Sequence, residues 1–164
     1  MELLTNFISI HRNKLENYQQ RAKAAIIQLH DEDVNWRPND ESNSIVNIAI
    51  HLRGNLLQRF LVNLRGETDI RDRDAEFNER TFFTIEQVLQ TLEEGFTVAD
   101  NTLAHLASDQ WDDVVQVMGK PVKVYEMVFN TVTHYGEHVG QIIYIAKMRT
   151  GTSFAALSMK HKKI

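Results

Sequence analysis

The chain has 164 residues, of which 43% are hydrophobic and 24% charged, and its formal net charge is -4 at pH 7. This length suits one domain, which we predict over residues 1–164, and the mixed charges argue against a nucleic-acid partner. The absence of cysteine excludes disulfides, thiolate metal ligands and a cysteine nucleophile, so any metal would be held by nitrogen and oxygen atoms.

The amino-terminal segment predicts a long amphipathic helix. Apolar residues recur three or four positions apart from about Leu3 to Leu29. The first residues lack the basic start and apolar run of a signal peptide. No stretch approaches the roughly 18 apolar residues of a membrane span. We therefore expect a cytoplasmic protein that does not cross a membrane.

A second helix is predicted after a connector. Candidate caps lie between Ser42 and Ser44, and Gly66 would end the helix after about Arg65. Most of this helix is apolar, but a narrow polar lane runs along one side. The lane consists of Asn47, His51, Asn55 and Gln58. Because buried polar groups need partners, the lane indicates a site or a specific contact.

The next segments predict a long connector, a third helix and a small hairpin. The connector covers residues 67–83, and its charged centre Arg71–Asp74 either pairs with itself or lines the mouth of a substrate site. Thr84 and Gln87 form a capping box that begins a helix reaching about Ala107. Residues 113–124 contain two β-branched runs around a glycine, which favours a hairpin or flap.

A fourth helix is predicted from about Tyr125 to Arg149, ended by Gly151. Its apolar stripe consists of Val128, Val132, Tyr135, Val139, Ile142 and Ala146. Four long helices with a long connector between the second and the third predict an all-α four-helix bundle with a small hairpin before the last helix.

The fourth helix carries two histidines four residues apart, His134 and His138. This spacing puts both imidazoles on one face, one turn apart, where they can bind one metal ion. Such a pair also arises by chance, so solvent-exposed histidines are the alternative. His51, in the polar lane of the second helix, is the candidate third ligand. Three histidines would leave coordination positions open, as in a catalytic site.

Other polar residues lie close to the three histidines in the sequence. Asn55 and Gln141 could orient the ligating histidines through hydrogen bonds. Ordinary hydrogen bonding between helices is an equally compatible explanation of their positions. Glu137 points towards the polar side, which favours solvent over a role as general base. No catalytic acid or base is identified. His11 could approach the site from the first helix.

Three segments resemble the DinB-like (YfiT-like) metalloenzyme superfamily, most closely an uncharacterised branch from Gram-positive bacteria. They read N-S-I-V-N-I-A-I-H-L-R-G-N, R-D-R-D-A-E-F and T-H-Y-G-E-H-V-G-Q-I, and the resemblance spans nearly the whole chain. It implies a four-helix bundle whose divalent metal, nickel or zinc, is bound by His51, His134 and His138. It also implies a homodimer.

The resemblance further implies an activity. Some relatives join a low-molecular-weight thiol such as bacillithiol to an electrophile, so we predict a thiol S-transferase for detoxification or stress response, with a small-molecule substrate and a thiol cosubstrate. One alternative is a metal-dependent hydrolase that activates water. Another is a non-enzymatic dimeric stress or binding protein.

Overall fold

Helices make up most of residues 2–157, the part of the chain that the computed structural model describes. In chain order the elements are α1 (Glu2–Ile26), α2 (Asp31–Asn35), α3 (Ile45–Leu57), a π-helix (Gln58–Asn63), α4 (Arg73–Asn78), α5 (Ile85–Ala104), a 3-10 helix (Gln110–Asp112), β1 (Val114–Val117), β2 (Lys120–Lys123), α6 (Val124–Thr150) and a second 3-10 helix (Gly151–Ser153). This agrees with the predicted all-α class. The predicted domain also includes residues 1 and 158–164, which lie outside the described residues.

Side-chain caps begin two of the long helices where the sequence predicts them. The Ser44 hydroxyl accepts a hydrogen bond from the Asn47 backbone N–H, and the Asn47 side chain accepts one from the Ser44 backbone, at the start of α3. Thr84 and Gln87 form the same reciprocal pair at the start of α5. Both pairs satisfy backbone donors that a first helical turn leaves free.

The four long helices contact one another around a shared apolar core. Helix α1 lies against α5 and α6, and α3 lies against the same two helices. The predicted stripe of α6 is buried, with every member at most 4% exposed. The apolar face of α3 is also buried inside the chain, through residues such as Ile48, Leu52 and Leu56. No described helix is both long and apolar enough to cross a bilayer.

Three helical details differ from the sequence-based expectation. Two short helices, α2 and α4, lie in segments predicted as irregular connectors. Helix α4 begins because the Asp72 side chain accepts a hydrogen bond from the Ala75 backbone N–H at 3.0 Å. The predicted second helix changes from α to π after Leu57. Apolar periodicity detects neither feature, because a single turn is too short and a π-turn alters only the local pitch.

The predicted hairpin is present as β1 and β2, paired antiparallel from Val114 opposite Lys123 to Val117 opposite Lys120. Its two turn residues are Met118 and Gly119, with φ of 52° and 75°. Two successive positive φ values are typical of the tight turns that match the twist of paired strands. The turn therefore includes Gly119, the glycine around which the sequence predicts the hairpin.

Candidate metal centre

His51 of α3 and the two histidines of α6 come together in space. One ring nitrogen of each of His51, His134 and His138 lies within 4.8 Å of those of the other two. The Nε2 atoms of His51 and His134 are 3.0 Å apart. The rings of His134 and His138 lie 4.5 Å apart between centroids and nearly perpendicular, at 88°. The three residues predicted from the sequence thus form a cluster that could hold one metal ion.

Two of these histidines have a hydrogen-bond partner on the Nδ1 atom. His51 Nδ1 lies 2.9 Å from a carboxylate oxygen of Glu76, and His138 Nδ1 lies 3.0 Å from the amide oxygen of Gln141. Arg71 Nη2 also lies 3.3 Å from His51 Nδ1, but the contact with the carboxylate is shorter, so both Nδ1 atoms donate to an oxygen and carry the proton. In the neutral ring, the Nε2 atom of each histidine then has the lone pair that can ligate a metal. The hydrogen-bonding pattern therefore fits a nitrogen-ligated metal ion.

Glu76 is the functional candidate that the sequence analysis missed. Its side chain is 5% exposed, and the Arg71 guanidinium binds both of its carboxylate oxygens, at 2.7 and 2.8 Å. Burial opposes ionisation of Glu76, but the hydrogen bonds from Arg71 and His51 outweigh it and lower its pKa. The carboxylate is therefore ionised and can only accept from His51. A carboxylate within the quoted R-D-R-D-A-E-F segment was the available sequence signal.

The polar lane of α3 holds this acidic segment in place. Asn47 is fully buried, and its side-chain amide donates to the backbone oxygen of Glu76 at 2.9 Å. The same amide lies 3.2 Å from the backbone oxygen of Glu79. One part of the lane thus binds the backbone of α4 and the residues just after it, while His51 binds the Glu76 side chain. Asn47 and His51 thus have the hydrogen-bond partners that their burial requires.

The site favours uncharged imidazoles on α6. Burial, followed by the nearby His138 and His51, lowers the pKa of His134 from 6.5 to about 4. Burial is also the main cause that lowers the pKa of His138. Metal binding requires the neutral ring, so these environments keep both side chains ready to ligate at neutral pH. An all-histidine donor set suits zinc, copper, iron or nickel rather than calcium or magnesium.

A cavity of about 390 Å³ opens beside the histidines. His51 and His134 line it, whereas His138 is not among its lining residues. The connector between α3 and α5 and the hairpin both contribute to its wall. The remaining lining residues are Asn55, Gln58, Arg59, Arg71, Arg73, Val117, Met118, Val122, Met127, Asn130 and Thr131. The cavity is large enough for a small organic molecule.

The remaining sequence-predicted residues have distinct positions. Asn55 is buried and lines the cavity, and Gln141 contacts His138, but an orienting role for either stays a prediction. Glu137 is 68% exposed, with an oxygen 3.9 Å from His134 Nδ1, which agrees with the expected solvated position. His11 packs against Phe7 and Phe129 and does not belong to the cluster.

Comparison with known proteins connects the chain to a family and a fold. The family described as "Protein of unknown function (DUF1572)" matches residues 2–163. The structure is similar to the crystal structure of a conserved protein from Enterococcus faecalis, with a TM-score of 0.75 and 13% sequence identity, over 88% of this chain and 97% of that one. No curated protein matches the sequence. At this identity the structural likeness concerns the fold alone.

Proposed function

The chain belongs to the DUF1572 family, a DinB/YfiT-like family of unknown function, and on that premise we propose that it is an enzyme dependent on a divalent metal ion. His51, His134 and His138 would hold the ion, and nickel or zinc fits this nitrogen donor set. The observation that carries the proposal is the convergence of the three rings beside a cavity. A solvent-exposed histidine pair would have neither a third ring nor a cavity.

The proposed reaction joins a low-molecular-weight thiol to an electrophile. When bound, the ion would supply Lewis acidity that lowers the pKa of the thiol. The chain has no cysteine, so the reacting sulfur must belong to a cosubstrate. Glu76 holds the ring of His51 in orientation, and Gln141 does the same for His138. The hairpin residues Val117 and Val122 form an apolar part of the cavity wall.

Finer structural and cellular features belong to the same proposal. We propose that the four long helices form a four-helix bundle, supported by the contacts of α1 and α3 with both α5 and α6. The branch of Gram-positive proteins, the cytoplasmic location and the homodimer stay predictions. The apolar face of α3 is largely buried inside the chain, so the homodimer rests on the family resemblance, and sedimentation velocity is its direct test.

Metal analysis and a conjugation assay test the proposal together. Protein purified without chelators should contain about one nickel or zinc ion per chain and should conjugate bacillithiol to a test electrophile. His51→Ala should lose the metal, whereas His105→Ala, at an exposed histidine that ends α5, should keep it. Retention of the metal in His51→Ala would refute the site. Turnover without added thiol would favour the hydrolase. An unchanged melting temperature after metal removal would favour the non-enzymatic alternative.

A further inference from the structure

The cavity beside the histidines has an unbalanced positive lining. Three arginines line it, Arg59, Arg71 and Arg73, and no carboxylate is among the lining residues that the structure describes. The chain as a whole carries a net charge of -4, so this local excess is not a property of the overall composition. A divalent ion at the histidines would add to the same positive field.

Arg71 accounts for only part of this charge. Its guanidinium is 9% exposed and forms a bidentate ion pair with the buried Glu76. Arg71 also donates to the side-chain oxygen of Gln58 at 2.9 Å. The charge of Arg71 is therefore balanced inside the protein, and the excess comes from the other two arginines.

Arg59 is half-buried and has no ion pair among the described residues. The π-helix carries it, and its one side-chain hydrogen bond within residues 2–157 goes to Asn63 at 3.4 Å. Burial lowers the pKa of Arg59, and the neighbouring Arg71 and Arg73 lower it further, whereas Asp69, which forms no ion pair with it, opposes this shift only in part. A guanidinium nevertheless stays charged in proteins. Because removing this charge from water is costly, a partly buried guanidinium is stabilised by an anionic partner.

Arg73 has a similar lack of an acidic partner. It is exposed at the start of α4, and its guanidinium carbon lies 6.0 Å from the centre of the Phe77 ring. No ion pair joins it to a carboxylate within the described range of the chain. Arg59 and Arg73 therefore present to one cavity two guanidinium groups that form no ion pair, and their planar donors suit carboxylate and phosphate oxygens.

The side of the cavity that the hairpin forms is apolar, in contrast to the positively charged side that the arginines form. Val117, Met118 and Val122 line it from β1, the turn and β2, and Met127 adds another apolar side chain from α6. Asn63 of the π-helix donates to the backbone oxygen of Gln116 at 2.6 Å, which ties the arginine side of the cavity to the hairpin. A ligand that fills this space must be anionic at one side and apolar at the other.

We propose that Arg59 and Arg73 bind the carboxylate or phosphate group of a small organic molecule whose apolar part lies against the hairpin, next to His51 and His134. The inference rests on the proposed function for the reaction itself and adds the chemical class of the substrate. Charge complementarity supports it, because two of the lining arginines form no ion pair and no carboxylate is among the described residues that line the cavity.

Calorimetric binding of matched small molecules to the full-length, metal-loaded protein tests this proposal. Hexanoate has one carboxylate and an apolar chain, and hexanamide is its uncharged analogue, so wild type should bind hexanoate at least 10-fold more tightly than hexanamide. Arg59→Gln should weaken hexanoate binding by about 10- to 100-fold, the size expected for a lost charged hydrogen bond, and leave hexanamide binding unaffected. Arg59→Lys should weaken hexanoate binding less. Inorganic phosphate in place of hexanoate shows whether the arginines prefer phosphate or carboxylate oxygens.

Matched controls separate the arginines from the metal. Arg53→Gln removes an arginine of α3 that pairs with Glu94 and does not line this cavity, so hexanoate binding should be unchanged. Equal binding of hexanoate and hexanamide would overturn the proposal. Hexanoate binding that is unchanged in Arg59→Gln but lost in His138→Gln would also overturn it, because the anion would then bind only the metal ion. If the purified protein contains no metal but chelator-treated protein still prefers hexanoate, and Arg59→Gln removes that preference, the anion site stands and the proposed function fails.

Discussion

Glu76 and His51, 25 positions apart in the sequence, are joined by a buried hydrogen bond of 2.9 Å between the carboxylate and Nδ1. The bond fixes the ring from the side opposite to the cluster, and Arg71 keeps the carboxylate ionised. Partners of this kind set the orientation and basicity of a ligating imidazole. Glu76 is therefore the residue through which the connector between α3 and α5 acts on the candidate metal centre.

Replacement of Glu76 tests this relationship. Glu76→Gln keeps the shape but removes the charge that accepts from His51, so we expect metal affinity to fall by about 10- to 100-fold. Competition with a chromophoric chelator measures the change. Glu137→Gln is the matched control, because Glu137 is 68% exposed and its carboxylate, 3.9 Å from His134 Nδ1, is too far away for a hydrogen bond. Equal effects of the two substitutions would contradict a special role for Glu76.

A substitution at Gly54 can displace the Glu76 carboxylate without changing its charge. A Cβ at Gly54 would overlap with Glu76 Oε1, and the carboxylate can move away only by weakening its bonds to Arg71 or His51. Gly54→Ala should therefore lower metal affinity by about 10-fold. Gly140→Ala is the control, because nothing lies within 4 Å of the new Cβ. Its metal affinity should equal that of wild type, and its free energy of unfolding should rise by about 0.5–1 kcal/mol. Unchanged affinity in Gly54→Ala would show that the carboxylate position is unimportant.

The metal-free protein should lose stability on mild acidification. His134 has a folded-state pKa of about 4 against 6.5 when unperturbed, so between these values the unfolded chain binds more protons. The free energy of unfolding should then fall as the pH is lowered from 6.5 towards 4. His138, whose pKa is also lowered, adds to the same trend.

Urea unfolding of chelator-treated protein at pH 7 and pH 5 measures this effect. The carboxylates of Asp33 and Glu76 have pKa values below the unperturbed 3.8 and 4.5, so their contribution to stability is lost mainly below pH 5. His134→Gln should show a smaller loss between the two pH values than wild type. An identical loss would mean that groups other than His134 cause it.

Tyr135 provides a prediction that separates stability from metal binding. It is adjacent to His134 but faces the core, 1% exposed, where its hydroxyl donates to the side-chain oxygen of Gln19. Tyr135→Phe leaves that oxygen without its donor, so the free energy of unfolding should fall by about 1–3 kcal/mol. Metal affinity should remain that of wild type. Loss of metal together with stability would contradict the separation of the two faces of α6.

Local patterns in the sequence predict the long helices and their starts. Helix α6 was expected from Tyr125 to Arg149 and spans Val124–Thr150, because its apolar stripe repeats at the helical period over many turns. The caps at Ser44 and Thr84 were predictable for the same local reason. The short helix α4 and the π-helix were not predictable, since each depends on a few hydrogen bonds that leave no periodic pattern.

The candidate site also has one part that the sequence predicts and one part that depends on the tertiary structure. The sequence by itself determined that His134 and His138 share one face of α6, because four residues make about one helical turn. That His51 belongs with them came from its polar lane and from a family resemblance, and the packing of α3 against α6 brings the rings together. Only the tertiary structure decided that Glu76 accepts a hydrogen bond from His51 and that Arg59 lines the cavity without forming an ion pair. Such contacts depend on the path of a connector and on buried charge pairing, which no local spacing encodes.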